Sequence, residues 1–201
     1  MYLQVSVFLL FVLFTAGHSL YCYECLTDSC TEKLVKCPIY AYKCKSSTVV
    51  TQIGYINSKV KVKGCAVDCQ SGSMNLGVVK TSSSCCDSYF CNINDAPDPR
   101  NMVPNGKTCY YCDEKSCSNI LSCSGTEDRC ITDRGTFGGK SMVVKGCISK
   151  SICDVATNIE GVSCCEGNLC NGDKGQSFTE SFIQSVTQSY DSVKIDTEPR
   201  V

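Results

Sequence analysis

The chain has 201 residues, 20 of them cysteine and one histidine, with a formal net charge of −1. Cysteine at about a tenth of the residues is the density of small exported domains stapled by disulfides, not of cytosolic enzymes. A near-neutral chain without a dense basic stripe argues against nucleic acid as a partner, and a lone histidine, His18, leaves the rest of the chain without the usual general base or neutral metal ligand.

In chain order, Val5 to Phe14 is apolar apart from Ser6, too short a run to cross a bilayer and suited to the core of a signal peptide. Small Gly17 and Ser19 place cleavage before Leu20, so residues 1–19 are read as a signal and the remainder as a secreted, extracellular protein. One departure is that no Lys or Arg precedes the apolar run.

From there the cysteines form two copies of one pattern. The first is Cys22, Cys25, Cys30, Cys37, Cys44, Cys65, Cys69, Cys85, Cys86 and Cys91, followed by Asn92; the second is Cys109, Cys112, Cys117, Cys123, Cys130, Cys147, Cys153, Cys164, Cys165 and Cys170, followed by Asn171. Intervals of two, four, six, zero and four residues recur in both, and the longest gap falls at the same place in each. Such a match reports duplication of one module. The organisation read from it is module one at 20–92, a linker at 93–107 holding Pro97, Pro99 and Pro104, module two at 108–171, and a polar tail at 172–201. Formal charges are +3, 0, −2 and −2 in that order, and the linker is expected to be extended, leaving the modules semi-independent.

Within the modules the apolar pattern is short and alternating. Ser47 to Ile53 is rich in Thr and Val, and Lys59, Lys61 and Lys63 alternate with Val60 and Val62, so a strand there puts lysines on one face and valines on the other. Module two repeats the motif, with Val144-Lys145-Gly146-Cys147 against Val62-Lys63-Gly64-Cys65. No helical period of convincing length is visible in either module. Gly135-Thr136-Phe137-Gly138-Gly139 lacks the Lys-Ser/Thr ending of a nucleotide loop and lies between two strand-like runs, so it reads as a hairpin tip. In the tail, Ser177 and Glu180 fit a capping box, and Phe178, Phe182, Val186 and Tyr190 recur every four residues, the pattern of a short amphipathic helix; a disordered tail reads equally well. No apolar run there suits a membrane helix or lipid anchor.

Cys22/Cys25 and Cys109/Cys112 also have the spacing of redox pairs or half zinc sites. A redox pair opens a helix after a strand, and zinc sites of this kind more often include histidine, so the disulfide reading is preferred and no metal or cofactor is expected. Neighbouring acids such as Asp113/Glu114 and Glu127/Asp128 read as a solvated rim rather than a catalytic pair. The chain is not expected to be an enzyme.

The ends of the modules carry a resemblance. Leu20-Tyr21-Cys22-Tyr23-Glu24-Cys25 and Cys85-Cys86-Asp87-Ser88-Tyr89-Phe90-Cys91-Asn92, with Cys109-Tyr110-Tyr111-Cys112 and Cys164-Cys165-Glu166-Gly167-Asn168-Leu169-Cys170-Asn171, resemble the lymphocyte antigen 6/urokinase receptor family. The resemblance implies a small disulfide-rich all-β fold of two tandem three-finger, snake-toxin-like domains. It implies the pairs Cys22–Cys44, Cys25–Cys30, Cys37–Cys65, Cys69–Cys85 and Cys86–Cys91, then Cys109–Cys130, Cys112–Cys117, Cys123–Cys147, Cys153–Cys164 and Cys165–Cys170. Asn92 and Asn171 would be structural, bonding backbone in the palm. Three-finger modules bind through loops on a rigid scaffold, which makes Ile53, Tyr55 and Ile56 at one central tip and Phe137 at the other the candidate contacts. The layout is similar to that of gamma-type phospholipase A2 inhibitors, implying steric occlusion of an extracellular protein such as a secreted phospholipase A2. The alternatives are a soluble urokinase-receptor-like protein engaging a protease, integrin or matrix ligand, and an extracellular structural protein that self-associates through its tail.

Overall fold

The structure, a computed structural model, describes residues 19–172 apart from 28–29, 55, 114 and 138–139, and leaves aside the side chains at 26, 27, 53, 56, 137 and 140. The signal and the tail read from the sequence thus lie outside the described residues, except for Ser19 and Gly172.

Module one comprises β1 (Tyr21–Thr27), β2 (Lys33–Lys36), β3 (Lys43–Ile53), β4 (Ile56–Ala66), β5 (Gly72–Asn75) and β6 (Val79–Cys86). Module two comprises β7 (Pro104–Tyr111), β8 (Asn119–Ser124), β9 (Arg129–Phe137), β10 (Lys140–Ile148), the helix α1 (Lys150–Ala156) and β11 (Val162–Cys165). β7 starts at Pro104, inside the stretch the sequence reads as linker. Each central finger is a long antiparallel hairpin. β3 pairs with β4 from Lys43↔Ala66 out to Ile53↔Ile56, and β9 with β10 from Arg129↔Ile148 out to Phe137↔Lys140. The β-branched content of β3 and the lysine–valine alternation of β4 suit a half-buried pleat.

The core is small and made largely of sulphur. Leu20, Cys22, Cys37, Ala41 and Cys44 are buried together in module one, and Cys109, Cys123, Cys130 and Cys147 in module two. At this size an apolar core rarely supplies more than about 3–5 kcal/mol, so the cross-links carry much of the stability.

A single nine-stranded sheet runs through both modules, in the order β11-β9-β10-β5-β6-β3-β4-β1-β2. The join is antiparallel, with Cys147 opposite Asn75 and Ile148 opposite Met74. Ser149 extends it: its amide donates to the Ser73 carbonyl at 2.9 Å, and its hydroxyl accepts the Ser73 amide at 2.8 Å. The Ser151 hydroxyl donates to the Ser71 carbonyl at 2.7 Å. Met74 and Leu76 of module one pack on the buried group of Ile131, Ile148 and Cys153 in module two. So close an approach is possible because residue 146 is glycine: a Cβ there would collide with the Asn75 carbonyl oxygen and Leu76.

The linker is not extended throughout, since Pro99–Asn101 form a 3-10 turn before β7 begins, and it is seated rather than free. The Ala96 amide donates to the Ser46 hydroxyl at 2.9 Å, the Thr48 hydroxyl donates to the Ala96 carbonyl at 2.8 Å, and the Ser82 hydroxyl donates to the Pro97 carbonyl. Ala96 and Pro99 are buried. The expectation of semi-independent modules is therefore replaced by one body, because strand pairing and a docked linker both cross the boundary.

The helix α1 also departs from the sequence reading. It is seven residues long, too short to show a period, and such helices depend on tertiary contacts rather than propensity. Here buried Cys153, bonded to Cys164, holds it, and five residues between Cys147 and Cys153, against three between Cys65 and Cys69, leave room for it.

The two equivalent glycines make the join testable. Gly146→Val should cost about 1–3 kcal/mol by overpacking and separate the modules, visible as a larger radius in solution scattering and a second thermal transition. Gly64→Val, where a Cβ meets nothing within 4 Å, should change stability by less than about 0.5 kcal/mol and leave the scattering unchanged.

Candidate partner-binding site

The palms fix everything else in place. The disulfides are Cys22–Cys44, Cys25–Cys30, Cys37–Cys65, Cys69–Cys85 and Cys86–Cys91 in module one. Those in module two are Cys109–Cys130, Cys112–Cys117, Cys123–Cys147, Cys153–Cys164 and Cys165–Cys170. Asn92 accepts the Tyr23 amide at 2.9 Å and donates to the carbonyls of Tyr23 and Lys45 at 2.8 and 3.0 Å. Asn171 makes the matching set, accepting the Tyr110 amide and donating to Tyr110 and Ile131. Each asparagine stitches the first strand to the central finger. The triads Cys22/Cys37/Cys65 and Cys109/Cys123/Cys147 lie close enough to suggest a metal site, yet all six sulphurs are in disulfides and offer no thiolate.

Of the four tip candidates, Ile53 and Ile56 face each other across the end of the β3–β4 hairpin, and Phe137 ends β9. Their side chains, and the whole of Tyr55, lie outside the described residues. The hairpins hold the tips of the two modules on separate fingers.

An aromatic platform on the palm of module one is more informative. The rings of Tyr21, Tyr89 and Phe90 lie 6.1–6.2 Å apart pairwise, and Tyr23 meets Phe90 edge-on at 6.5 Å. Tyr89 and Phe90 are 47% and 43% exposed. Leu34, opposite Tyr23 on β2 and exposed, extends the surface to the edge of the sheet. Phe90 has φ +63°, and its amide donates to the Tyr21 carbonyl at 2.8 Å. Leu169 of module two has φ +56° and donates to Thr108 at the same distance. The fold thus uses the left-handed residue and its bond in both copies, while Thr108 and Asn168 replace the rings of Tyr21 and Tyr89 in module two. Those rings are surplus to folding, and exposed clustered aromatics are what interface anchors are made of. The sequence reading used these residues only as family markers; their paired spacing in Tyr21-Cys22-Tyr23 and Tyr89-Phe90 was the available signal.

Electrostatics bind the linker to the same module. Lys59 meets Asp98 at 2.8 Å, Lys61 meets Asp95, and Lys63, whose side chain is 1% exposed, meets Glu32 and, at 3.1 Å, Asp95. Burial opposes the Lys63 charge, but the hydrogen bonds that Lys63 donates to Glu32 and Asp95 outweigh it and raise its pKa. Hydrogen bonding by Lys61 holds Asp95 below the usual carboxylate range, and Arg100, then Lys59, does so for Asp98. Lys145 at the matching place in module two is also buried and donates to the Asn171 carbonyl at 2.7 Å. Glu127, read as part of a solvated rim, is instead buried beside the junction. Burial raises its pKa, against the pull of the Ser124 amide at 2.8 Å and the Lys80 charge.

The family model for the u-PAR/Ly-6 domain matches residues 18–94, and that for snake toxin and toxin-like proteins matches residues 108–171. Over 108 residues the chain is 32% identical to the urokinase plasminogen activator surface receptor of Mus musculus, covering 45% of this chain and 33% of the receptor. It is 35% identical over 81 residues to lymphocyte antigen 6E of Gallus gallus, covering 39% of this chain and 64% of that protein. The match thus spans less than two thirds of either relative's length. The crystal structure of mouse TEX101 aligns over 74% of this chain and 99% of its own, with a TM-score of 0.32 and 17% identity.

Two acid titrations follow from these contacts. The depressed carboxylates of Asp95 and Asp98 contribute stability that is full above about 3.8 and is lost as pH falls through their lower folded values. Asp95→Asn and Asp98→Asn should each cost about 1 kcal/mol or less at pH 7, because Asp95 and the Lys59 and Arg100 partners of Asp98 are solvent-exposed, and should flatten acid unfolding. Glu127 has the opposite sign: its contribution is full below about 4.5 and lost as pH rises through its raised value. Glu127→Gln should therefore raise the melting temperature at pH 7, with the gain vanishing in acid, as thermal melts across pH 3–8 would show.

Proposed function

Since the chain belongs to the lymphocyte antigen 6/urokinase receptor family, we propose that it is a non-catalytic, secreted binding protein for an extracellular protein. The observation that carries this reading is the ring cluster of Tyr21, Tyr89 and Phe90, exposed at Tyr89 and Phe90, two of whose rings module two replaces with Thr108 and Asn168. Rigid aromatics on a cross-linked palm lose little conformational entropy on binding, which favours affinity. The seated linker and continuous sheet support presentation of both modules to the partner as one unit.

Identity to urokinase receptors favours the receptor-like version, in which the partner is a protease, integrin or matrix protein. Occlusion of a secreted phospholipase A2 rests on the two-module layout alone and is the second reading. In both, the finger tips at Ile53, Tyr55, Ile56 and Phe137 are secondary contacts beside the palm platform.

The test is a titration of the oxidised protein against a panel of extracellular proteases, integrin ectodomains and secreted phospholipases A2, scoring binding and enzyme inhibition. Tyr89→Ala and Phe90→Asn, the latter a residue that tolerates the left-handed backbone, should each weaken the complex by about tenfold or more while the melting temperature stays at or above wild type. Full affinity in both variants would remove the platform from the account. Inhibition of a phospholipase, with no binding to the other classes, would select the second reading.

A further inference from the structure

Duplication allows one module to show what a bare surface on the other is built to hold. In module two, strand β5 of module one lies over Gly146, so that Cys147 and Ile148 have a strand neighbour on each side: Cys130 and Arg129 on β9, Asn75 and Met74 on β5. Their counterparts in module one, Cys65 and Ala66, pair with β3 alone among the described strands. Gly64, the counterpart of Gly146, has open space where a Cβ would stand. That space is part of a groove of about 840 Å³, with Val35 and Val62 on its walls.

The charge of the groove says what it takes. Module one has eight lysines. Lys59, Lys61 and Lys63 are held by linker and finger carboxylates, Lys43 donates to the Cys69 carbonyl at 3.2 Å, and Lys80 lies near Glu127. The other three, Lys33, Lys36 and Lys45, are exposed, make no ion pair among the described residues, and all line this one groove. The opposing carboxylate on its wall is Glu24, across the β1–β2 pair from Lys33.

We propose that the Gly64 groove is a second interaction site, which seats an extended acidic segment of a partner protein in the way β5 is seated on Gly146. The valine walls and glycine floor fit a peptide backbone with a small apolar side chain, and the three lysines fit flanking carboxylates. A second copy of this chain is a poor occupant. Its β5 is already used in the join, and module two has the helix α1 where module one has that strand. None of the rings of Tyr21, Tyr89 and Phe90 lines the groove, though Lys36 faces Tyr21 across the β1–β2 pair, so Gly64→Leu and Phe90→Asn test the two surfaces separately.

The probe is a fluorescein-labelled peptide carrying Ser-Met-Asn-Leu, the end of β5 and the residue after it, between glutamate pairs, titrated into the full-length oxidised protein, with a lysine-flanked version and a heparin chain as comparators. Saturable binding of the acidic peptide is expected, with none for the lysine version. Gly64→Leu, which fills the floor without changing charge, should abolish it, and Lys33→Glu with Lys36→Glu and Lys45→Glu should weaken it by at least about tenfold. Phe90→Asn should leave it unchanged. Failure of the acidic peptide to bind, binding that survives Gly64→Leu in a variant with native melting temperature, or binding of heparin alone would each overturn the proposal.

Discussion

Cystine sulphur occupies, in each module, the place where a larger domain puts aliphatic side chains. Cys22, Cys37 and Cys44 fill the buried centre of one palm, and Cys109, Cys123, Cys130 and Cys147 that of the other. Because the cross-links already restrain the unfolded chain, the strands above them need not bury both faces to stay ordered. That releases surface residues for other uses. Module one carries exposed tyrosine and phenylalanine on its palm and lysines along its fingers, a composition that a domain held by apolar burial alone could not sustain at this size.

The same scaffold appears twice, so differences between the copies separate what the fold requires from what it permits. Both copies keep the palm asparagine, the left-handed residue before the last cysteine, and a buried lysine reaching a palm carbonyl: Lys63 to Ile93 at 2.6 Å and Lys145 to Asn171 at 2.7 Å. They diverge in the rings of the palm, the last finger and the neighbour of the central glycine. Each divergence points toward interaction. In module two the surface beside the glycine is spent on holding module one; in module one it is open.

Much of the architecture is legible in the chain. The order of the cysteines and the repeated Val-Lys-Gly-Cys carry the family, the fold class and the central hairpins, since cross-link spacing and period-two alternation are local signals. What the sequence could not reveal depends on contacts between distant segments. Gly64 and Gly146 sit in the same local sequence yet have opposite surroundings, because the occupant of one comes from another module. Asp95 and Asp98 look like ordinary linker charges until β4 presents Lys59, Lys61 and Lys63 to them and Glu32. Glu127 reads as a rim acid because burial at a junction leaves no trace in its neighbours. The helix α1 is shorter than the period that would announce it. The ring platform could have been suspected from Tyr21, Tyr23, Tyr89 and Phe90, but only the fold shows that the two ends of the module bring them together.

Both modules act as one body, and amide hydrogen exchange reads this most directly. The amides of Ser73 and Ser149 sit in the join, hydrogen-bonded across it at 2.8 and 2.9 Å. In one body they are predicted to exchange as slowly as the amides of Val49 and Val50 in the central hairpin of module one, opening only with global unfolding. Exchange at those two positions on the timescale of exposed loops, with the central hairpins still protected, would show that the modules come apart in solution and would contradict the account.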